Sequence, residues 1–407
     1  MTERLYYHDS FLYSFDARVL ETTEREGRIA VVLDQTAFYP TSGGQVHDTG
    51  KLVLNDGREV AVAETAGEED GRIFHFTAGP VEPGQTIRGV VDSARRRDHM
   101  RQHSGQHVLS AAFVRLFEVP TVSFHMGAES CTIDLAVKSL TADQVTRAEL
   151  LANEIVTEDR AVNIRFVSLE EARQLALRKL PPKQTGQLRL IDIVDFDLTA
   201  CGGTHVRSTG QIGAILVRKI ENVKQGVRIE FVCGLRAVAT ARQDYLTLTQ
   251  AAGLFSAHIR ELPQQIEKSI QESKATGKIQ YKLLEELAEL YGERLLAQAS
   301  PPRTVTRFFA ERDATFIKLL AQKLTALQPD VTALLASGSG QLSLVFAQSP
   351  GMKGNMGQLM KEAMAKLGGR GGGSADMAQG GLPARTADSA QIEDVLREMA
   401  VRLKPAI

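Results

Sequence analysis

Two short stretches, far apart in the chain, set the tightest condition on its fold. The first, Arg101-Gln102-His103-Ser104-Gly105-Gln106-His107, opens an apolar run through Val108, Leu109, Ala111, Ala112, Phe113, Val114 and Leu116 that reads as a helix. Residues four apart share a helix face, so His103 and His107 present both rings together, with Cβ atoms about 5–6 Å apart. The second, Cys201-Gly202-Gly203-Thr204-His205, places a thiol and an imidazole around two glycines, a loop compact enough to turn both toward one ion. Zn²⁺ takes imidazole nitrogen and thiolate sulfur in tetrahedral geometry, so His103, His107, Cys201 and His205 form one candidate zinc set. Each half alone is a weak signal, and together they complete each other. The first lacks the glutamate of H-E-x-x-H, which takes the general base from a metalloprotease reading. Any fold for this chain has to carry a helix and a distant loop to one point.

The 407 residues, 43% hydrophobic and 24% charged, allow two to four ordinary globular domains. No apolar run approaches the roughly eighteen residues of a membrane helix, and Met1-Thr2-Glu3-Arg4-Leu5-Tyr6-Tyr7 is too polar for a signal peptide; the expectation is a cytoplasmic chain with no membrane partner. Three cysteines are too few for a disulfide framework, and Cys131 and Cys233 sit in strand-like apolar contexts as buried residues. A formal net charge of −1 gives no whole-molecule attraction to polyanions, so nucleic-acid binding would come from local patches. Arg95-Arg96-Arg97-Asp98-His99-Met100-Arg101, just before the first histidine pair, is such a patch: a solvated helix turn, or a phosphate holder at the mouth of the site.

Residues 1–92 read as short strands separated by turns at Asn55-Asp56-Gly57 and Pro83-Gly84, which favours a small β-barrel. Within them Gly43 and Gly44 either make a structural turn or present backbone amides to a polar substrate. Residues 93–234 mix strands and helices in runs, an α+β pattern, with a helix N-cap at Thr141. Residues 235–300 turn helical, with Ile259, Leu262, Ile266 and Ile270, then Ile279, Leu283, Leu287 and Leu290, at helical spacing. Gly277 between the two sets predicts a hairpin or a kink. Residues 301–407 hold an amphipathic helix around Phe316 and Leu320, a strand at Gln341–Phe346, and a glycine tract from Gly368 to Gly381. That tract lacks the Gly-Lys-Ser/Thr of a P-loop and reads as an anion-binding nest or a mobile linker.

At these residues the sequence resembles the AlaX-type alanyl-tRNA editing proteins in their long form, relatives of the editing and C-terminal regions of alanyl-tRNA synthetase. The resemblance is carried, in order, by Thr36-Ala37-Phe38-Tyr39-Pro40 with Gly43-Gly44-Gln45 and Asp48, by the two histidine and cysteine motifs, and by the glycine tract with Asp376-Met377-Ala378-Gln379. It implies an α+β protein with an N-terminal β-barrel (1–92), a zinc-containing editing domain (93–234), a helical linker (235–300) and a C-terminal DHH-associated α/β domain (301–407) that binds tRNA, with a homodimer formed through the linker or that last domain. The implied activity is hydrolysis, in trans, of tRNA(Ala) mischarged with serine or glycine. The class II ATP-binding motifs are expected to be missing, because the barrel reading starts almost at Met1.

By the resemblance, His103, His107, Cys201 and His205 hold zinc, and Gln106 contacts the ester or water. Thr121 or Ser123 recognises the serine side chain. Gly43 and Gly44 form the pocket wall, and Arg95 and Arg101 hold tRNA phosphates. Zinc either activates water, polarises the ester or only orients the substrate. Four protein ligands close a tetrahedral site, so direct catalysis at the metal requires one of them, Cys201 or His205, to be loosely held. Such an enzyme has a physical reason to exist: a pocket for alanine cannot strongly exclude glycine, since one methyl group is worth only about 1–3 kcal/mol, whereas a site built to hydrogen-bond the serine hydroxyl rejects alanine strongly. The alternative is a zinc-stabilised tRNA-binding module without catalysis.

Overall fold

The computed structural model describes residues 1–178, 187–224, 226–339, 341–382 and 388–403, which fall into two compact units, Met1–Gln250 and Ala251–Ile407. In the first unit, β1 (Ser14–Arg25), β2 (Arg28–Leu33), β3 (Gly50–Leu54), β4 (Glu59–Gly67), β5 (Ile73–Thr77) and β6 (Thr86–Val91) close into a six-stranded antiparallel barrel in the order β1-β2-β5-β4-β3-β6. Alternation drives this. Phe15, Ala17 and Val19 on β1, and Val60 and Val62 on β4, point inward with polar residues between them. Between β1 and β2, Glu26 and Gly27 both adopt positive φ, the two-residue turn whose twist suits a tight hairpin.

A fully buried histidine gives the barrel a pH response. His75 on β5 donates Nδ1–H to the Val31 carbonyl (3.0 Å) and accepts from the Thr36 hydroxyl at Nε2 (2.8 Å). Burial lowers its pKa to about 4, against about 6.5 for the unfolded chain. The neutral form is therefore native, so its contribution is complete above pH 6.5 and is lost as pH falls toward 4, by roughly 3 kcal/mol in all. Denaturant midpoints of the wild type are expected to drop between pH 7 and pH 4.5 more steeply than those of His75→Gln.

The chain leaves the barrel into α1 (Ser93–Phe117), whose N-cap Asp92 accepts from the amides of Ala94 and Arg95. Most of α1 is buried, and Val108, Leu109 and Phe113 share a core with Ile133, Ile229 and Phe231. Next come β7 (Thr121–Met126), β8 (Cys131–Leu135), α2 (Ala142–Thr157), β9 (Val162–Val167), β10 (Leu188–Ile193), β11 (Asp197–Ala200), β12 (Ile215–Val223) and β13 (Gly226–Cys233). They make one sheet in the order β12-β13-β8-β7 and a second in the order β9-β10-β11. Thr141 caps α2 in a full capping box with Gln144.

Arg96 departs from the reading of a basic patch. It is fully buried, its guanidinium paired with the equally buried Asp48 and donating to the carbonyls of Ser10 and Ala37. The carboxylate, which also accepts from the Tyr39 amide (2.7 Å), draws it inside. Arg96 is not available to a phosphate.

Two helices follow, α3 (Leu235–Leu254), within which the boundary between the units falls at Gln250, and α4 (Leu262–Ala297). The break falls at residues 255–261, and α4 runs unbroken through Gly277. An interior glycine costs only about 1 kcal/mol, which a helix of 36 residues absorbs. Beyond it, β14 (Arg303–Phe309), α5 (Ala314–Leu327), β15 (Val331–Ser337), β16 (Leu342–Gln348), α6 (Met356–Leu367), β17 (Arg370–Gly373), β18 (Met377–Leu382) and α7 (Ser389–Arg402) build a five-stranded sheet ordered β14-β15-β16-β18-β17. The glycine tract forms the β17–β18 hairpin, neither nest nor linker. A Cβ on Gly380 would stand 2.7 Å from the sulfurs of Met360 and Met364, so the glycines let α6 lie directly on the hairpin backbone.

Candidate metal centre

α1 supplies His103 and His107 one turn apart, and the loop after β11 supplies Cys201 and His205. Their four donor atoms lie within 4.8 Å of one another, a cluster able to hold a metal ion. Cys201 Sγ is 3.5 Å from His103 Nε2 and 3.4 Å from His205 Nε2. Two of the three rings are also held by hydrogen bonds from outside. His103 Nδ1 meets Gln45 Oε1 at 2.7 Å, and His205 Nδ1 meets Ser104 Oγ at 3.1 Å. His107 Nδ1 stands 3.5 Å from Asp197 Oδ2, longer than a full hydrogen bond, and Asp197 is gripped by the Arg178 guanidinium at 2.7 and 2.9 Å. Outer partners of this kind orient metal-ligating imidazoles.

The loop geometry is built in. Arg189 donates to the carbonyls of Cys201 (2.6 Å) and Gly203 (3.0 Å), and Ser10 Oγ accepts from the His205 amide. A Cβ on Gly203 would lie 2.1 Å from His103 Cε1, so only glycine lets the loop lie against that ring. Phe124 stacks on the His103 ring, with centroids 5.4 Å apart and planes at 25°.

Electrostatics favour the state a cation needs. Burial opposes ionisation of Cys201, but the neighbouring imidazoles, His103 first and then His205, outweigh it and hold the thiol well below its usual range. Burial, then His103, push His205 well below the ordinary histidine value. Asp197, despite burial, is brought down to about 2 by His107 and Arg178.

Beside the cluster lies a cleft of about 430 Å³, lined by His103, His107 and Cys201 and by Gly43, Gln106, Thr121, Ser123, Phe124 and Arg178. His205 is not among its lining residues. On the cleft wall, Thr121 Oγ1 and Gln106 Nε2 both donate to Ser110 Oγ, at 2.7 and 2.8 Å. Ser123 donates to Asp134 (2.8 Å), itself paired with Arg228.

Over 393 residues the chain is 31% identical to the alanyl-tRNA editing protein AlaX-L of Pyrococcus horikoshii, an alignment covering 95% of this chain and 96% of that one. The chain belongs to the AlaX-L family. It is also 32% identical over 409 residues to an alanine–tRNA ligase of Pyrococcus abyssi, and there it covers 97% of its own length but spans only 43% of the ligase. Residues 188–230 match the threonyl and alanyl tRNA synthetase second additional domain, residues 5–95 the class II (A) tRNA synthetases, and residues 305–404 the DHHA1 domain. A solved C-Ala domain of Aquifex aeolicus alanyl-tRNA synthetase aligns at 26% identity over 24% of this chain and 88% of that one, with a TM-score of 0.22, too low an overlap to bear on the fold.

In this AlaX-L family member the fold thus gathers His103, His107, Cys201 and His205, and places Gly43, Gln106, Thr121 and Ser123 around the cleft beside them. Gly44 is the turn residue pressed on β7, where a Cβ would meet the Phe124 carbonyl at 2.3 Å. Arg95 and Arg101 do not line this cleft: Arg95 donates to the His47 carbonyl and Arg101 to that of Gln211. Sequence reasoning assigned no role to Gln45, Phe124, Arg178, Arg189 or Asp197. Only Gln45 carried a signal, its place beside the paired glycines. No helix among the described residues is long and apolar enough to cross a membrane.

Proposed function

We propose that this chain hydrolyses the aminoacyl ester of seryl-tRNA(Ala), with glycyl-tRNA(Ala) as a second substrate, at a zinc site formed by His103, His107, Cys201 and His205. The observation that carries the reading is the convergence of three imidazoles and one thiol at a cleft wide enough for an aminoacyl group. The donor set fits zinc: N and S ligands, a thiol poised as thiolate, and rings braced from outside. When bound, Zn²⁺ would supply positive charge that orients or polarises the ester.

The protein's own groups then divide the work. Thr121 is the serine reader in this proposal. Its proton goes to Ser110, leaving oxygen lone pairs to accept from a substrate hydroxyl, and alanine would leave them unpaired. Ser123 is tied to the Asp134–Arg228 pair and is the weaker candidate. Gln106 commits its amide nitrogen to Ser110 and so offers its carbonyl oxygen to the substrate ammonium. Of the ligands considered for a loosely held position, half-buried Cys201 faces the cleft and His205 does not. Gly43 forms the wall, while Arg95 and Arg101 are assigned to tRNA phosphates outside the cleft.

The assignment extends to a tRNA-binding DHH-associated domain at 301–407, separated from the barrel (1–92) and editing domain (93–234) by a helical linker (235–300). Exposed Ile270, Ile279, Leu283 and Leu290 on α4 support self-association through that linker.

The test is deacylation of tRNA(Ala) charged separately with serine, glycine and alanine. Serine is expected to be released fastest and alanine spared. Thr121→Val should slow seryl release by roughly 3–10-fold, the worth of one hydrogen bond, and leave glycyl release nearly unchanged. Intact seryl-tRNA(Ala) after incubation with protein that binds it would favour a binding module instead.

A further inference from the structure

We propose that Gln45 is a positioning residue for the metal cluster: its side-chain oxygen fixes which nitrogen of His103 faces the ion, and so ties occupancy of the cluster to the order of the cleft wall. The inference rests on the metal reading above and assigns a role outside the four ligands.

Gln45 is fully buried and reaches from the barrel's β2–β3 connection to both halves of the cluster. Its Oε1 lies 3.1 Å from the Thr204 amide nitrogen and 2.7 Å from His103 Nδ1, while its Nε2 donates to Thr204 Oγ1 at 2.9 Å. A backbone N–H can only donate, which identifies the atom facing it as the oxygen. The same oxygen can then only accept from His103, so Nδ1 carries the proton. Nε2, the nitrogen 3.5 Å from Cys201 Sγ, is left with its lone pair for a cation. The amide that joins Thr204 to His103 therefore fixes the relation of the two distant halves of the site.

The backbone of Gln45 supplies the second half of the claim. It closes a tight turn with Ser42 through two hydrogen bonds, of 2.9 and 3.0 Å, and the turn's corners are Gly43 and Gly44, both at positive φ. Gly43 lines the cleft, and the Gly44 carbonyl accepts from the Met126 amide. Withdrawing the Gln45 side chain from His103 releases one end of that turn. Loading the metal, which holds His103 in place, holds the turn too.

The experiment compares wild type, Gln45→Met and Gln45→Glu. Methionine keeps the volume and removes the acceptor; glutamate keeps the acceptor and adds a buried charge. A packing role predicts that methionine is tolerated and glutamate is not. The positioning role predicts the reverse: Zn²⁺ affinity, read by competition with a chelating dye, falls about 10–100-fold in Q45M and stays near wild type in Q45E. Histidine ¹⁵N spectra of the metal-free proteins should show the His103 Nδ1 proton in wild type and Q45E and lose it in Q45M. Zn²⁺ should slow amide exchange across residues 42–46 in wild type but not in Q45M. If Q45M does not fold, Q45E carries the test, because the packing role alone predicts weakened zinc there. Zn²⁺ affinity of Q45M within about two-fold of wild type overturns this inference and leaves the metal reading standing. A wild-type protein that takes up no Zn²⁺ removes both.

Discussion

Replacing His103 with alanine is expected to abolish seryl-tRNA(Ala) deacylation, a loss on the order of 10³-fold, while leaving the fold intact. The magnitude is that seen when an electrostatic group aimed at a reacting carbonyl is removed. His103 contributes in two ways at once: it is one of the four convergent donors, and its ring forms cleft surface between Phe124 and Gly203. Removal leaves a three-donor cluster and a gap in the cleft wall. Three measurements check this: single-turnover deacylation, zinc content per chain, and a thermal melt showing that the variant is folded. Chelation of the wild type should reproduce the loss, and added Zn²⁺ should reverse it only in the wild type. An H103A protein that is folded, free of metal and still hydrolyses the ester at the wild-type rate would remove the metal from the reaction.

The largest effect on stability is expected from Asp48→Ala. The carboxylate and Arg96 are both fully buried, and without it the guanidinium keeps only the carbonyls of Ser10 and Ala37. Breaking a buried pair by removing one partner costs about 3–5 kcal/mol, because the other charge is left uncompensated. For a unit of this size that is a fall in Tm of roughly 10 °C. Asp48→Asn, which keeps an acceptor for the Tyr39 amide but removes the charge, should fall between the two. Calorimetry of the three proteins measures it; a change under about 1 kcal/mol for D48A would mean that water reaches Arg96 in the variant.

How far the sequence reveals this molecule depends on whether the information is periodic. Alternation in β1 and β4 and the Asn55-Asp56-Gly57 turn announce the barrel, and the spacing of His103 and His107 announces a shared helix face. The convergence of that face with the Cys201 loop could be stated as a requirement, though not located. What stayed hidden are pairings between single residues at large separation. Gln45 and His103 are 58 positions apart, Arg96 and Asp48 are 48 apart, and no period connects them. Arg96 misled in a specific way: amid neighbouring arginines it looked solvated, because its partner lies in a different element. The hydroxyls on β7 were found only as a pair, since the local match to the family is loose around Thr121 and Ser123 and the strand register shifts between them. Only their hydrogen bonds, to Ser110 and to Asp134, tell them apart.

The separation of 98 residues between His103 and Cys201 matters during synthesis as well. A ribosome adding roughly 5–20 residues per second delivers the paired imidazoles seconds before the thiol that joins them. Through that interval the helix can complete its packing only in part, because Ile229 and Phe231, which share its core, and Thr204, which holds Gln45 against His103, have not yet been made. Assembly of this four-donor cluster is thus a late event of high contact order.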